Sequence, residues 1–307
     1  MILTVCLSPC IDVNIEVDSL AVGKSHKIIN KRIFFTGKAL NVAIGLARLK
    51  SNVFATGFMY EGNGNQFEQE LHREGVPYKF VWNEGRVREN YKFIDMKSML
   101  TEVDDVSAEV SEENRKALIG LVKQLSSSCE AVVVSGSLAR GMTPDYYGEI
   151  LNAVPAHVKK VVDTEGDRLK EALKCGVDLI KPNIEELERT LKRKIRSKEE
   201  LLSGCYELLD RGAKRVLLSL GKQGAVITDG TKNYFCKSVN VAMNSTLGAG
   251  DGMVAASTNA LTKGGDLQEV LRCGVAAGTA AVTSPHSISF SKEKYEEILA
   301  ALTVKEI

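Results

Sequence analysis

Short runs of β-branched and apolar residues recur along the chain, each set beside a stretch with helical spacing. MILTVCL comes first. SNVFATGFM follows the helical LNVAIGLARL, and EAVVVSGSL follows SEENRKALIGLVKQL; VKKVVDTEG, VDLIKPN and AKRVLLSLG come after further helical stretches. Strand runs such as AVVVSG are apolar throughout rather than alternating, which predicts a parallel sheet buried on both faces. Strand and helix alternate over most of the chain, so the fold class is α/β with right-handed crossovers. Two stretches break this rhythm. Residues 11–35 (IDVNIEVDSL, KIINKRIFF) and 78–103 (VPYKFVWNEGRVRENYKFIDMKSMLTEV) alternate polar and apolar. That period of two predicts antiparallel strands with one wet face, gathered into a small second sheet that covers a site as a lid. With no internal repeat, low-complexity tract or Pro-rich linker, residues 1–307 read as one domain carrying two lid insertions.

Bulk composition narrows the function. The 307 residues are 44% hydrophobic, enough for a large core. Lys plus Arg is 40 against 39 Asp plus Glu, a net charge of +1. This balance excludes a general attraction for nucleic acid or anionic membrane, so any anion must be bound by a local cluster. No apolar run approaches the roughly 20 residues of a membrane span, and the apolar start lacks the basic region of a signal peptide. The seven cysteines are scattered, odd in number and without zinc spacing, as expected of reduced thiols in a cytoplasmic protein. Cys6 and Cys10 flank the end of the first strand, near any site there. Histidines 26, 72, 157 and 286 are dispersed, which argues against a histidine metal centre.

In open parallel sheets, ligands gather at the carboxyl ends of the strands. Those ends carry SPCID, SGSLARG, DTEGD, KPNIEE and SLGKQGA. The sharpest feature is STLGAGDG. Gly248, Ala249 and Gly250 leave backbone N–H groups unshielded, and a helix starting at or near Asp251 adds its positive end. Together they form an anion hole suited to a transferring phosphoryl group. A carboxylate there would repel a resting phosphate, but makes sense as the base that takes a proton from an incoming hydroxyl. The plain alternative is that Asp251 is an N-cap. In KPNIEELE, Asn183 and Glu186 stand one helical turn apart and could hold Mg²⁺ through waters, or simply form a favourable acidic helix start. Glu185 and Glu188 are expected to face solvent. Gly37, Lys38 and Asn41 in FFTGKALN open another helix, where a sugar hydroxyl could bond Asn41 and the Gly37 backbone. On the lid, RVREN aligns Arg86, Arg88 and Asn90 on one face. With Lys24 and His26 they form a cationic patch that a phosphorylated substrate would explain; for Arg86 a solvated position is expected. AVGKSHK contains Gly-Lys-Ser, but Asp18 stands where a P-loop needs glycine, and EGNGNQF lacks the third glycine of a dinucleotide site.

Taken together, GAGDG, KPNIEE, SLGKQGA, SGSLARG and TGKALN, in this order and rough spacing, resemble the PfkB carbohydrate kinases, a ribokinase-like family. SPCID and VREN narrow the resemblance to its phosphosugar branch: 1-phosphofructokinase, tagatose-6-phosphate kinase and the minor 6-phosphofructokinase. The resemblance implies a central, mostly parallel sheet flanked by helices, with a β lid. It implies phosphoryl transfer from ATP with Mg²⁺ to a hydroxyl of a phosphorylated ketohexose, such as fructose 1-phosphate or tagatose 6-phosphate, and homodimers formed through the lid sheets. Position by position, it makes Asp251 the catalytic base and Gly248, Ala249 and Gly250 the anion hole. Asp12, Gly37, Lys38 and Asn41 become sugar contacts, and Lys24, Arg88 and Ser137 contacts to the substrate's phosphate. Lys181, Asn183 and Glu186 fall on the nucleotide and Mg²⁺ side, and Ser219, Gly221 and Gly224 on a loop near the nucleotide.

Three positions depart from the family pattern. Thr36 and Ala39 stand where glycines let the sugar approach the backbone closely, and Gly252 follows the base where serine is common. These departures lend weight to a non-catalytic sugar-phosphate binder on the same scaffold. A kinase of an unphosphorylated sugar is the other alternative, and it predicts that Lys24 and Arg88 do not converge.

Overall fold

The computed structural model describes residues 1–97, 99–242, 248–284 and 289–307. The MNSTL start of the stretch around Asp251, and His286, lie outside the described residues. In chain order the first half comprises β1 (Ile2–Cys6), β2 (Cys10–Val17), β3 (Ile28–Thr36), α1 (Lys38–Arg48), β4 (Val53–Tyr60), α2 (Asn65–Arg73), β5 (Tyr78–Asn83), β6 (Arg88–Ile94), β7 (Leu100–Val103), α3 (Glu112–Ser126), β8 (Ala131–Ser135) and α4 (Tyr146–Asn152). The second comprises β9 (Lys159–Asp163), α5 (Gly166–Leu173), β10 (Leu179–Ile180), α6 (Ile184–Leu191), α7 (Lys198–Asp210), β11 (Val216–Ser219), β12 (Ala225–Thr228), β13 (Asn233–Cys236), α8 (Ala249–Thr262), α9 (Leu267–Ala281), α10 (Lys292–Ala301) and β14 (Val304–Glu306).

One sheet has ten strands in the order β14-β13-β12-β11-β10-β9-β8-β1-β4-β5. From β5 through β11 every pairing is parallel, and the uniformly apolar runs supply the buried strands inside the β5 edge. β12, β13 and β14 then extend the sheet antiparallel at one edge. Chain order reverses beside β1: β4 lies on one side, β8 and β9 on the other. At such a switch the crossover helices diverge and leave a crevice at the strand carboxyl ends.

The small sheet runs β3-β2-β6-β7. It consists of two antiparallel hairpins, β2–β3 and β6–β7, joined by a parallel β2–β6 pairing. The second lid segment is shorter than its alternating pattern suggests. Tyr78–Asn83 is the edge strand of the main sheet, paired in parallel with β4 through the crossover helix α2. An edge strand is half-covered and so carries the same period-two signature as a lid strand.

Alternation along the lid strands places one cross-strand row after another over the crevice. Thr36, Cys10 and Arg88 stand side by side, and Asp12 is next to Asn90 one row further out. Lys92, level with Asn14 and Glu102, completes the polar face.

Candidate active site

A cleft of about 460 Å³ lies between the lid and the carboxyl ends of β1, β8, β9 and β10. It is lined by Asp12, Gly37, Lys38, Asn41, Arg88, Asn90, Ser137, Lys181, Asn183, Glu186, Gly248, Gly250 and Asp251, all singled out above from sequence. Ser8, Cys10, Thr36, Lys92, Gly136, Thr164, Glu165 and Arg168 complete the lining.

The first turn of α8 forms one end. Gly248, at φ 75°, is the N-cap, a left-handed conformation that glycine adopts without strain, and among the described residues no side chain caps the helix. The helix starts at Ala249, and its first intrahelical bond runs from the Gly252 N–H to the Gly248 carbonyl at 2.8 Å. The N–H groups before Gly252 therefore have no helical acceptor, and the helix dipole adds to their field. Asp251 is thus in the first turn, two residues inside the start, and is not the N-cap. Its Oδ2 accepts a 2.7 Å hydrogen bond from Asn41 Nδ2.

That bond follows from helix packing. One turn beyond it on each helix, Gly45 of α1 faces Ala255 of α8, and a Cβ on Gly45 would lie only 2.9 Å from that of Ala255. The missing side chain lets the two helices close until Asn41 and Asp251 meet. Burial pushes the Asp251 carboxyl up to about 6; Lys38 opposes this, Asp163 adds to it, and Asn41 and Lys181 oppose it. The carboxylate is thus poised as a base near neutral pH.

Beneath the cleft lies Asp163, the last residue of β9, whose side chain is 1% exposed. Lys181 Nζ is 3.2 Å from its Oδ1 and Lys38 Nζ is 3.4 Å from its Oδ2, which also accepts a 3.1 Å bond from Ser135 Oγ. Burial pushes this carboxyl up, but Lys181 and Lys38 outweigh it and hold the group below its ordinary range. Asp163 in turn holds Lys38 above the usual lysine range, against its desolvation and with help from Asp251 and Glu186. The Lys38 ammonium is therefore held in its charged form. Lys181 reaches the start of α8, where a Cβ on Gly250 would sit in ordinary contact with its Nζ at 3.4 Å.

On the opposite wall Asn183 and Glu186 form a reciprocal capping box at the start of α6. Asn183 Oδ1 accepts from the Glu186 N–H at 2.8 Å, and Glu186 Oε2 accepts from the Asn183 N–H at 2.9 Å. Glu186 Oε1 remains, 3.6 Å from Lys38 Nζ. The helix-start reading is thus correct, and it leaves one carboxylate oxygen for the cleft. Glu185 is exposed as expected, but Glu188 is not solvated: its side chain, 13% exposed, pairs with Lys194 at 2.7 Å and accepts from the Ile195 N–H at 2.9 Å.

On the lid, Arg88 Nη1 donates to Asn90 Oδ1 at 3.3 Å, while its Nε is buried with no acceptor among the described residues. Among the described residues Arg88 has no carboxylate partner. Asp12 accepts from Cys10 Sγ at 3.6 Å and from Lys92 Nζ at 3.5 Å. Arg86 lies outside the cleft, 66% exposed and paired with Glu89.

The cleft does not gather every residue named from sequence. Lys24 sits in the exposed β2–β3 loop and, within its own chain, does not join Arg88 in the cleft, the outcome expected of a kinase of an unphosphorylated sugar. His26 turns back to the Ala21 backbone at 3.0 Å and closes that loop. Ser219, Gly221 and Gly224 also fall outside the lining. Ser219 is nonetheless adjacent to it, its N–H donating to the Pro182 carbonyl at 2.9 Å beside Asn183. Gly224, at φ 105°, is structural: a Cβ there would collide with the Cys236 carbonyl at 2.0 Å.

The family departures separate. Thr36 lines the cleft, whereas Ala39 is fully buried away from it. Gly252 packs against α9, where a Cβ would already touch the Ala277 carbonyl and the Phe290 ring at 3.2 Å. Only Thr36 bears on the substrate pocket.

Residues missed from sequence are Asp163, Lys92 and Arg168. The first had a signal, a lone carboxylate closing the otherwise apolar run VVD. Lys92 had a weaker one, the next alternate position after Arg88 and Asn90.

Open helix-terminal N–H groups beside a buried carboxylate, at the switch point of a parallel sheet under a β lid, make an arrangement suited to phosphoryl transfer. The family model described as "pfkB family carbohydrate kinase" matches residues 1–294, and the chain belongs to that family. It is 31% identical to the 1-phosphofructokinase of Borreliella burgdorferi, over 100% of this chain and 99% of that one. It is 26% identical to the tagatose-6-phosphate kinase of Staphylococcus epidermidis, over all of both chains. The structure of the tetrameric inhibited form of phosphofructokinase-2 from Escherichia coli superimposes with a TM-score of 0.90, at 28% identity and 98% coverage of each chain.

Proposed function

We propose that this protein transfers the γ-phosphoryl group of ATP to a hydroxyl of a phosphorylated ketohexose, fructose 1-phosphate or tagatose 6-phosphate. The observation that carries this reading is the pairing of a buried carboxylate, Asp251, with the open first turn of α8. Asp251 accepts the proton of the attacking hydroxyl, and Asn41 fixes its orientation. The N–H groups of Gly248, Ala249 and Gly250 stabilise charge developing on the transferring phosphoryl oxygens. Lys181, held by Asp163 beside Gly250, brings its ammonium to the same place. Asp12, Asn90, Gly37 and Asn41 orient the sugar, and Arg88 with Ser137 receives its phosphate.

The donor set suits Mg²⁺, which needs only one or two carboxylates when nucleotide phosphates complete its shell. Glu186 Oε1 and Asn183 would hold it through water; among the described residues there is no cluster of three or more acidic, His or Cys ligands. Bound with the nucleotide, the ion neutralises charge on the phosphoryl oxygens. We assign the nucleotide base to a recess of about 470 Å³ whose lining mixes Val239, Val241, Ala242, Ile298 and Ala301 with Asn240, Thr283, Lys294 and Glu297. Thr283 follows the end of α9, and that end packs beside the start of α8, where a Cβ on Gly278 would meet the Ala249 carbonyl at 3.2 Å. Ser219 borders Asn183, and the turn from Gly221 meets Ser238, whose hydroxyl donates to the Lys222 carbonyl at 2.5 Å, which supports placing this turn beside the nucleotide. ADP release measured with ATP and these phosphosugars should stop on chelation by EDTA and resume with added Mg²⁺. Turnover indifferent to EDTA would overturn the metal's part.

The pH dependence follows from Asp251. Its base form dominates above about pH 6, so kcat/KM for the phosphosugar should be flat above neutrality and fall tenfold per pH unit well below 6. A profile flat down to pH 5 would exclude this carboxyl as the base.

We also propose a homodimer through the lid sheets. The two edge strands of the lid sheet leave apolar residues exposed, Ile28, Ile29 and Ile33 on β3 and Leu100 and Val103 on β7. Because Lys24 lies outside its own chain's cleft, a phosphate contact from it requires the partner's lid. Ile33→Glu should shift the protein to monomer in sedimentation velocity and raise the phosphosugar KM; an unchanged sedimentation coefficient would rule out this interface.

A further inference from the structure

Arg168 is the second guanidinium in the cleft, on the wall opposite Arg88, and it is under-satisfied in three respects. Its Nε is buried and has no acceptor among the described residues. Its one carboxylate neighbour among the described residues, Glu165, stands 3.7 Å from Nη2. That carboxylate has a closer partner of its own, because Glu165 Oε2 accepts from Arg189 Nε at 2.6 Å. Finally, Arg168 lies in the first turn of α5, where a cation opposes the helix dipole. The fold thus gains little from an arginine here, and the side chain lines the same cleft as Gly136, Ser137 and Thr164. A guanidinium in such a setting is completed by a planar pair of oxygens, as on a phosphoryl group.

We propose that Arg168 is a substrate-binding residue that grips a phosphoryl group from the wall facing the lid. The inference rests on the reading of the cleft as a phosphosugar kinase site. Both substrates carry phosphate, and the kinetics separate the two sources.

The experiment compares steady-state kinetics of the wild type, Arg168→Met and Arg168→Lys, varying ATP and the phosphosugar in turn. Loss of a charge-assisted hydrogen bond should raise one KM by about tenfold to hundredfold in Arg168→Met. Arg168→Lys, which keeps the charge but not the fork, should fall between. A rise for the phosphosugar assigns the sugar phosphate, a rise for ATP assigns the nucleotide, and a fall in kcat alone assigns the group in transfer. The thermal midpoint of Arg168→Met should equal or exceed that of the wild type, since Glu165 keeps Arg189 and the helix start loses an unfavourable cation. All kinetic constants within twofold of wild type, or losses that merely track a lowered midpoint, overturn the proposal. If the wild type turns over no phosphosugar, the kinase reading fails by itself. Calorimetry with ADP and with inorganic phosphate then decides: weaker binding by Arg168→Met sustains the grip, and equal binding or none by the wild type overturns it.

Discussion

Asp251→Asn should lose turnover by about 10²–10⁴-fold, the range of a lost general base, while keeping its phosphosugar affinity within a few-fold. The amide preserves the acceptor for Asn41 Nδ2 and nearly the same volume, so the α1–α8 contact is retained. Stability should move the other way. The Asp251 carboxyl sits at about 6 in the fold, above its ordinary 3.8. The folded state therefore holds its proton more tightly than the unfolded chain, and this group takes stability away as pH rises between those values. At pH 7.5 the asparagine variant should unfold no earlier than the wild type in a thermal melt. A dead variant that also melts early would point to a structural lesion instead.

Asp163→Ala should be damaging in both respects. It leaves Lys181, 5% exposed, without its carboxylate and removes the anchor of Lys38 and the acceptor of Ser135. Breaking one side of a buried ion pair costs about 3–5 kcal/mol, and Lys38, which reaches toward solvent, adds little to that sum. The denaturant midpoint should fall by a corresponding amount at neutral pH. Because the folded carboxyl titrates below its ordinary range, its contribution is present above that range and lost as pH falls through the lowered value; wild type and variant should converge in stability in strong acid. Turnover should fall with it, since an unheld Lys181 no longer stands beside Gly250. Wild-type stability in Asp163→Ala would refute the role assigned to this pair.

Much of this site is legible in the sequence because its parts sit at strand ends and helix starts, where local pattern and chemistry coincide. Gly248 through Asp251 and the Asn183–Glu186 pair are of this kind. What was not legible depends on residues brought together from distant positions. Asp163 is one acidic residue among many until β9 is seen to end beneath Lys38 and Lys181. Arg168 resembles any helical arginine until α5 turns it into the cleft. Tyr78–Asn83 misled because an edge strand and a lid strand share one alternation. The Asp251–Asn41 bond needed the Gly45–Ala255 approach, which no spacing in the chain announces.

The most direct test of the central claim is ADP release by the wild type in Mg²⁺-ATP with fructose 1-phosphate, tagatose 6-phosphate, fructose 6-phosphate, free fructose and ribose. Turnover on fructose 1-phosphate or tagatose 6-phosphate far above that on either free sugar is the predicted result. Tight phosphosugar binding in calorimetry with no ADP release from any of the five would contradict it and make the protein a sugar-phosphate binder on a kinase scaffold.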